Sequence, residues 1–258
     1  MPELSAQSFS VSLRFSAGVR ALLYPRDRTQ PTIRVLKERT TVKDVIESCG
    51  VPHTEVDQVL REAVHVGLDT PVGAACSLAV HGVHEGPAVG SAARLQPVHC
   101  KRFVADGHLG KLVRLLRLLG LDVAYASTVE DRELLRIMTE EGRGLLTRDR
   151  RLLMHRIVEV GYCPRSDEPE SQAREILRRF ELEAADLAPW TRCLRCNGRL
   201  VAVPKAAIEN RLEPLTKRHF ETFHRCEGCG QVYWTGSHTD RLAGTIARLI
   251  GPSDTQEE

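Results

Sequence analysis

The chain has 258 residues, of which 42% are hydrophobic and 27% are charged, and its formal net charge is only +2. This length accommodates one large domain or two to three small ones, and the apolar fraction is typical of a chain that buries a core. The small net charge excludes a general electrostatic argument for nucleic-acid binding, so any basic surface must come from local arrangement. The sequence shows no run of about 20 apolar residues and no basic leader followed by an apolar stretch. We therefore expect a cytoplasmic protein without a membrane anchor, in a compartment where paired cysteines more often bind metal than form disulfides.

The first block of the sequence has the pattern of a small sheet with one helix. Residues 9–15 and again residues 32–36 alternate apolar and polar side chains, which is typical of half-buried strands. A helical stripe of valine and isoleucine follows, with a capping threonine at Thr41 and a terminating glycine at Gly50. Strand, strand, helix and then weaker strands is the order of a ubiquitin-like β-grasp, which predicts an N-terminal domain over residues 9–95.

The second block, residues 101–188, alternates short strands with amphipathic helices. This alternation predicts a parallel sheet with flanking helices and right-handed crossovers, and so an α/β fold. The predicted strands cover residues 101–106, 121–126, 143–147 and 156–162, and the predicted helices cover residues 109–119, 130–141 and 171–180.

The cysteines of the third block, residues 189–250, are the strongest single signal in the sequence. Cys193 and Cys196 form one pair, and Cys226 and Cys229 form another, each pair one tight turn apart in what we call a knuckle. Four thiolates complete the tetrahedral shell that zinc prefers, and because all four positions are protein ligands the predicted zinc is structural. Four free cysteines or disulfides are the alternative, which the spacing and the compartment disfavour.

Carboxylates follow the predicted strands of the second block. In an open parallel sheet, ligands bind beyond the carboxyl ends of the strands, which we call the rim. Asp106 ends the first strand and Asp149 follows the third. Asp131 and Glu133 lie in the opening turn of the helix after the second strand, whereas Asp122, early in that strand, is expected to lie away from the rim. Acids that converge on the rim would suit a hard divalent cation, and the alternative is that they are helix caps and turn residues.

Basic side chains accompany these acids. Lys111, Arg114 and Arg117 recur every three residues along the first helix of the block, and Arg148 and Arg150 lie just after its third strand. A phosphodiester substrate at an acidic metal site needs positive charge beside it, so these five residues are predicted to bind substrate phosphates. A solvated helix face is the alternative.

The zinc ribbon that these cysteines predict, residues 189–250, also mixes cations with aromatic side chains, a combination that suits stacking on single-stranded bases. The alternative is that Tyr233 and Trp234 simply pack the small core of the ribbon. The set comprises Arg192, Arg195, Arg199, Arg225, Tyr233, Trp234 and His238.

Several stretches of the chain match the signatures of one known family in the correct order. They are residues 103–122, which begin Phe-Val-Ala-Asp-Gly-His-Leu-Gly-Lys-Leu, residues 141–150, Glu-Gly-Arg-Gly-Leu-Leu-Thr-Arg-Asp-Arg, and the motifs that start at Cys193 and Cys226. Together they resemble the Mut-seven C-terminal ribonuclease family, a PIN-like group with an appended zinc ribbon. Residues 50–57 are similar to the ubiquitin-like domain that is often fused ahead of it.

The resemblance implies a PIN-like fold and metal-dependent hydrolysis of RNA phosphodiester bonds, with a structural zinc ribbon that assists RNA binding. It implies that Asp106, Asp131 and Asp149, with Glu133 as a further candidate, hold Mg²⁺ or Mn²⁺. The implied substrate is RNA, with transfer RNA and ribosomal RNA among the candidates, and the β-grasp domain is expected to bind a protein partner.

Two departures from the family pattern accompany the resemblance. His108 stands where the family usually has methionine, and residues 66–95 differ from the usual end of the ubiquitin-like domain, so its last strands are expected to be rearranged or longer. Two other classes of function stay open. One is a non-catalytic RNA- or ribosome-binding protein whose acids do not assemble a metal site, and the other is a scaffold with an exposed apolar patch on its β-grasp sheet.

Overall fold

The computed structural model describes residues 8–87, 94–234 and 236–251, and of residues 237–240 it describes the backbone alone. Part of the predicted domain 9–95, residues 88–93, therefore lies outside the described residues. Within the described ranges, no helix is both long enough and apolar enough to span a bilayer.

The chain folds as two compact units, and each is described by itself. The first comprises Met1–Val98 with Thr147–Cys163, and the second comprises His99–Leu146 with Pro164–Glu258. The three domains expected from the sequence, 9–95, 101–188 and 189–250, remain predictions.

Strands and helices follow one another closely in both units. Before residue 100 they are β1 (Phe9–Phe15), α1 (Ala17–Arg20), β2 (Thr32–Leu36), β3 (Thr40–Thr41), α2 (Val42–Glu47), β4 (Gln58–Arg61), β5 (Val64–His65), β6 (Pro71–Val72) and β7 (Cys76–His81). After residue 100 they are β8 (Arg102–Ala105), α3 (Gly110–Leu118), β9 (Asp122–Tyr125), α4 (Asp131–Glu141), β10 (Gly144–Leu146), α5 (Arg150–Leu153), β11 (Gly161–Tyr162), α6 (Pro169–Arg179), β12 (Leu200–Val203), α7 (Pro214–His219), β13 (Phe223–Cys226), β14 (Val232–Trp234) and α8 (Ser237–Ile250).

The first unit contains a five-stranded sheet in the order β2-β1-β7-β4-β5. Strand β1 pairs antiparallel with β2 and parallel with β7, and β4 pairs antiparallel with both β7 and β5. This is the arrangement of a ubiquitin-like β-grasp, which confirms the predicted fold. The last long strand, β7, takes the usual central place despite the departures in residues 66–95, because Leu78 and Val80 supply buried apolar side chains on its inner face.

Helix α2 begins with the predicted capping box, in which the side chains of Thr41 and Asp44 each accept a hydrogen bond from the other residue's backbone N–H. Gly50 follows the helix with a φ of +93°, and a Cβ atom there would lie 3.2 Å from the carbonyl oxygen of Leu22. The left-handed φ therefore favours glycine at this turn, where a Cβ atom would also be tightly packed.

The second unit contains a parallel sheet in which β8 lies between β10 and β9. Phe103 from β8 is fully buried and packs against the ring of Phe180, with the ring centroids 5.0 Å apart. Helices α3, α4 and α6 each bury an apolar face, and Gly142 ends α4 in the left-handed conformation. The parallel sheet with flanking helices confirms the predicted α/β fold.

The C-terminal part of the second unit is a three-stranded antiparallel sheet in the order β12-β13-β14. Its small core consists of Ile208, Phe223 and Val232. Helix α8 follows this sheet.

A buried ion pair joins β2 to the loop before it in the first unit. The Asp27 carboxylate is only 4% exposed and accepts two hydrogen bonds from the Arg34 guanidinium, at 2.8 and 2.6 Å. The hydrogen bonds from Arg34 lower the pKa of Asp27 below its ordinary value. Arg26 also pairs with Asp27, but at 3.6 Å and with a side chain that is 75% exposed.

We predict that Arg34→Ala lowers the free energy of unfolding of the first unit by about 3 kcal/mol, because it leaves a buried carboxylate without its partner. The matched change Arg26→Ala should cost less than about 0.5 kcal/mol, since the Arg26 side chain is exposed and Asp27 keeps its two bonds from Arg34. Amide hydrogen exchange in β1 measures both losses of unfolding free energy.

The stabilisation that Arg34 provides should also depend on pH. Because the pKa of Asp27 is lowered on folding, this stabilisation is present above the ordinary pKa of 3.8 and is lost as the pH falls through the folded-state pKa. A difference between parent and Arg34→Ala that persists at still lower pH would contradict this.

Candidate functional site

The four cysteines of the two knuckles form one cluster. Their Sγ atoms all lie within 4.8 Å of one another, with Cys193 and Cys229 at 3.7 Å and Cys196 and Cys226 at 3.3 Å. A tetrahedral zinc with Zn–S bonds of about 2.3 Å has sulfur–sulfur edges of about 3.8 Å. The donor set and its spacing therefore fit one zinc ion, and the cluster is compatible with the predicted zinc ribbon.

Backbone turns hold each pair of cysteines in place. In the first knuckle the Cys193 N–H donates to the Gly198 carbonyl at 2.8 Å, and the Asn197 N–H donates to the Cys193 carbonyl at 2.9 Å. Asn197 has a φ of +71°, in the left-handed region. A Cβ atom on Gly198 would lie 2.7 Å from the Cys226 sulfur, so only glycine lets the two knuckles approach this closely.

Tyr233 belongs to the cysteine cluster. Its hydroxyl lies 3.2 Å from the Cys193 sulfur and accepts a hydrogen bond from the Leu194 N–H at 3.1 Å. Burial, followed by the interaction with Cys193, raises the pKa of Tyr233. The hydroxyl therefore keeps its proton and supports the first knuckle, which agrees with the packing alternative for this residue. Trp234 is 39% exposed.

The first knuckle is tied to β9 through a partly buried carboxylate. Asp122, at the start of β9, accepts hydrogen bonds from Arg143 at 2.6 Å, Asn197 at 2.7 Å and Arg192 at 3.3 Å. Burial alone would raise the pKa of Asp122, but the bonds from Arg143 and Asn197 hold it below its ordinary value. The carboxylate is therefore ionised at neutral pH. Asp122 lies away from the rim, as expected, and it has a structural role that the sequence did not indicate.

Arg117 has a different place from the one predicted. Its side chain is buried, and its guanidinium donates to the Val123 carbonyl at 3.0 and 2.7 Å and to the Arg195 carbonyl at 2.9 Å. A step of three residues along a helix turns back by about 60°, so the third residue of the Lys111, Arg114, Arg117 series points about 120° away from the first. Lys111 and Arg114 are exposed, whereas Arg117 is held between β9 and the first knuckle by these hydrogen bonds.

Three of the candidate acids belong to the second unit. Asp106 follows β8, is half-buried, and its N–H donates to the Leu146 carbonyl of β10 at 3.0 Å. Asp131 is exposed at the first position of α4. Glu133 accepts two hydrogen bonds from Arg136, at 2.7 and 2.6 Å, and those bonds lower its pKa.

The chemistry of these three carboxylates suits a hard cation, but they do not close around one by themselves. Among the described residues of the second unit, the cysteines are the only group of three or more Cys, His, Asp or Glu side chains whose ligand atoms come within 4.8 Å of one another. A divalent cation held by the acids thus remains a prediction.

Asp149 belongs to the first unit by its contacts and caps α5. Its carboxylate accepts hydrogen bonds from the N–H groups of Arg151 at 2.7 Å and Leu152 at 3.4 Å. Arg150, predicted to bind substrate, instead donates to the Leu22 carbonyl and lies over the Tyr24 ring at 5.4 Å. Of this segment's candidate cations, Arg148 is the exposed one.

Arg143 and Asn197 have structural roles that were not predicted from the sequence. Asn197 directly follows a cysteine ligand, and this position was the only available signal of its role. Arg143 carried none. In the ribbon set, Arg192 is engaged with Asp122, and Arg195, Arg199 and Arg225 are exposed. The side chain of His238 lies outside the described residues.

Fold and cluster together define a class of protein: an α/β chain with a ubiquitin-like domain, a parallel sheet and a four-cysteine site. A family model described as the Mut7-C RNAse domain matches residues 101–246, and one described as Mut7-C ubiquitin matches residues 8–85. The first match covers more than half of the chain, so the chain belongs to the Mut7-C RNAse domain family, which confirms the resemblance. No curated protein and no solved structure matches it.

We predict that the protein binds about one zinc per chain and that Cys226→Ser releases it, because loss of one of four thiolates opens the tetrahedral shell. The matched change Cys76→Ser, at a half-buried cysteine outside the cluster, should leave the zinc content unchanged. Elemental analysis of the folded proteins measures the zinc content of the parent and of the two variants. Less than about half a zinc per chain in the parent protein would contradict the assignment.

Proposed function

We propose that this protein is a metal-dependent ribonuclease that hydrolyses RNA phosphodiester bonds. The observation that carries the proposal is the match of residues 101–246 to the Mut7-C RNAse domain family. The α/β sheet of the second unit supports it, because Asp106 follows the carboxyl end of β8 and Asp131 follows β9 at the start of α4. The expected cytoplasmic location remains a prediction.

We propose Asp106 and Asp131 as ligands of the hard cation, with Glu133 as a further ligand, while Asp149, in the first unit, stays a candidate ligand from the sequence. Bound Mg²⁺ or Mn²⁺ would supply Lewis-acid stabilisation of the phosphodiester as negative charge builds up on it. The exposed Asp131 and the half-buried Asp106 retain access to solvent and substrate. Asp149 would have to serve both as ligand and as the cap of α5, and Glu133 would have to leave Arg136.

Lys111, Arg114 and Arg148 are the proposed contacts to RNA phosphates. All three are exposed, and Lys111 and Arg114 project from α3, which begins four residues after Asp106. Positive charge here would offset the repulsion between the acids and the RNA backbone. Arg117 and Arg150 are left out of this proposal because their guanidinium groups are engaged with backbone carbonyl groups.

The ribbon is proposed to assist RNA binding through its exposed side chains. Trp234 offers a partly exposed indole that lies 6.4 Å from the Phe220 ring, and Arg195, Arg199 and Arg225 are exposed cations. Aromatic and arginine side chains on one small module favour single-stranded RNA, because every base can stack on them without sequence preference.

A non-catalytic RNA-binding protein is the second candidate function. Two of the acids already have partners within the protein, which favours this candidate. Asp149 caps helix α5, and Glu133 forms an ion pair with Arg136. Under this hypothesis Lys111, Arg114 and Arg148 bind RNA while the acids hold no cation.

The ubiquitin-like domain is proposed to bind a protein partner. Ile33 and Val35 lie at alternating positions of the edge strand β2 and are 51% and 65% exposed, as the scaffold hypothesis requires of the β-grasp sheet.

We predict that Asp106→Asn abolishes cleavage while RNA affinity stays level or rises. The change is nearly isosteric and removes a charged oxygen ligand together with its repulsion of phosphate. Cleavage and binding are measured on the same RNA with added Mn²⁺, with Asp167→Asn, an exposed aspartate outside the proposed site, as the matched control. Full cleavage by Asp106→Asn would remove this residue from the mechanism.

We predict that Arg114→Ala weakens RNA binding and reduces the slope of log affinity against log salt by about one unit, because one phosphate contact is lost. The matched control is Arg28→Ala, an exposed arginine of the first unit, which should leave the slope unchanged. Equal slopes for Arg114→Ala and the parent would exclude this phosphate contact.

A further inference from the structure

Strand β9 is the edge strand of its sheet, and side chains cover the backbone polar atoms of Val123 on its open side. Val123 directs both its N–H and its carbonyl away from β8. The N–H donates to the Asn197 side-chain oxygen at 3.1 Å, and the carbonyl accepts from Arg117 at 2.7 and 3.0 Å. An edge strand normally leaves such groups to water or to a further strand, so Asn197 and Arg117 here replace a neighbouring strand.

Both covering side chains are fixed by the first knuckle. Asn197 lies in the turn that joins Cys193 to Gly198, and its amide nitrogen donates to Asp122 at 2.7 Å. Arg117 reaches past β9 to donate to the backbone carbonyls of Leu194 and Arg195, at 3.3 and 2.9 Å. The backbone between the two cysteines of this knuckle is therefore joined to β9 through the Arg117 side chain of α3.

The other end of β9 supports the turn that follows Asp106. The Tyr125 hydroxyl donates to the Gly107 carbonyl at 2.8 Å. A Cβ atom on Gly107 would lie 2.6 Å from the Ser127 carbonyl oxygen, so the two backbone segments are in close contact. A displacement of β9 would be transmitted to the residue next to the candidate catalytic aspartate.

We propose that Asn197 and Arg117 are positioning residues through which metal loading of the cysteine cluster orders β9 and, beyond it, the turn at Asp106. The zinc ribbon is thus a structural part of the nuclease sheet. The ordering of β9 stands on the contacts alone, whereas its effect on cleavage rests on the proposed ribonuclease function.

The first test is amide hydrogen exchange of the full chain with and without a zinc chelator. Removal of zinc is expected to speed exchange at the Val123 amide about tenfold or more, while Leu13 in β1 of the first unit stays unchanged. Unchanged exchange at Val123, in protein that has lost its zinc, would overturn the proposal and make the ribbon an independent module.

The second test is the same measurement on Asn197→Ala with zinc bound. The four thiolates are intact, so the zinc content should stay at that of the parent, while Val123 exchanges about fivefold to tenfold faster and Leu145 in β10 does not. The matched control is Asn210→Ala, at an exposed asparagine in the ribbon. Exchange at Val123 within about twofold of the parent would overturn the role of Asn197.

The third test concerns cleavage. A positioning role predicts that Asn197→Ala lowers kcat, leaves KM unchanged and raises the Mn²⁺ concentration needed for half-maximal cleavage. If Asn197 had a merely structural role, Asn197→Ala would lower the fraction of active protein but leave the required Mn²⁺ concentration unchanged. That result would overturn the link to Asp106. If the parent itself cleaves no RNA, the proposed function fails, and the exchange measurements still decide whether the knuckle orders β9.

Discussion

The attachment of the first knuckle to the open edge of β9 is the constraint on which the second unit depends. A sheet edge must satisfy its backbone N–H and carbonyl groups, and here Asn197 and Arg117 do so. The partly buried Asp122 carboxylate costs free energy unless it is paired, and Asn197 and Arg143 pair it. The turn that presents Asn197 lies between Cys193 and Gly198, so metal binding by the four cysteines would be linked to folding of the sheet.

Local patterns allowed the fold and the metal cluster to be predicted from the sequence. The strand period of β1 and β2, the capping box at Thr41 and the spacing of the cysteine pairs each depend on residues that are close in the chain. Arg117 and Arg143 each have a partner more than 20 residues away in the chain, and nothing near them in the sequence indicates burial. A basic residue on a helix is expected to be solvent-exposed unless its angular position around the helix axis is known to face the protein interior.

For the acidic residues, too, the positions along the chain could be predicted from the sequence, whereas the hydrogen-bond partners could not. The order of strands and helices predicted that carboxylates follow β8 and β9, and Asp106 and Asp131 do so in the structure. Their present partners were not predictable, because a helix cap such as Asp149 and an ion pair such as Glu133 with Arg136 use the same side chains as a cation site. Hydrogen bonds that a carboxylate makes within the protein compete with a cation for the same oxygen atoms.

The most direct test of the ribonuclease assignment is the sequencing of RNA ends after the purified full chain is incubated with a whole-cell RNA pool. Reactions with Mn²⁺ and with a chelator of divalent cations are compared, with zinc content measured in each. The account predicts new RNA ends at defined positions with Mn²⁺ and none with the chelator in protein that has kept its zinc. Either no new ends with Mn²⁺, or equal cleavage in the presence of the chelator, would contradict it.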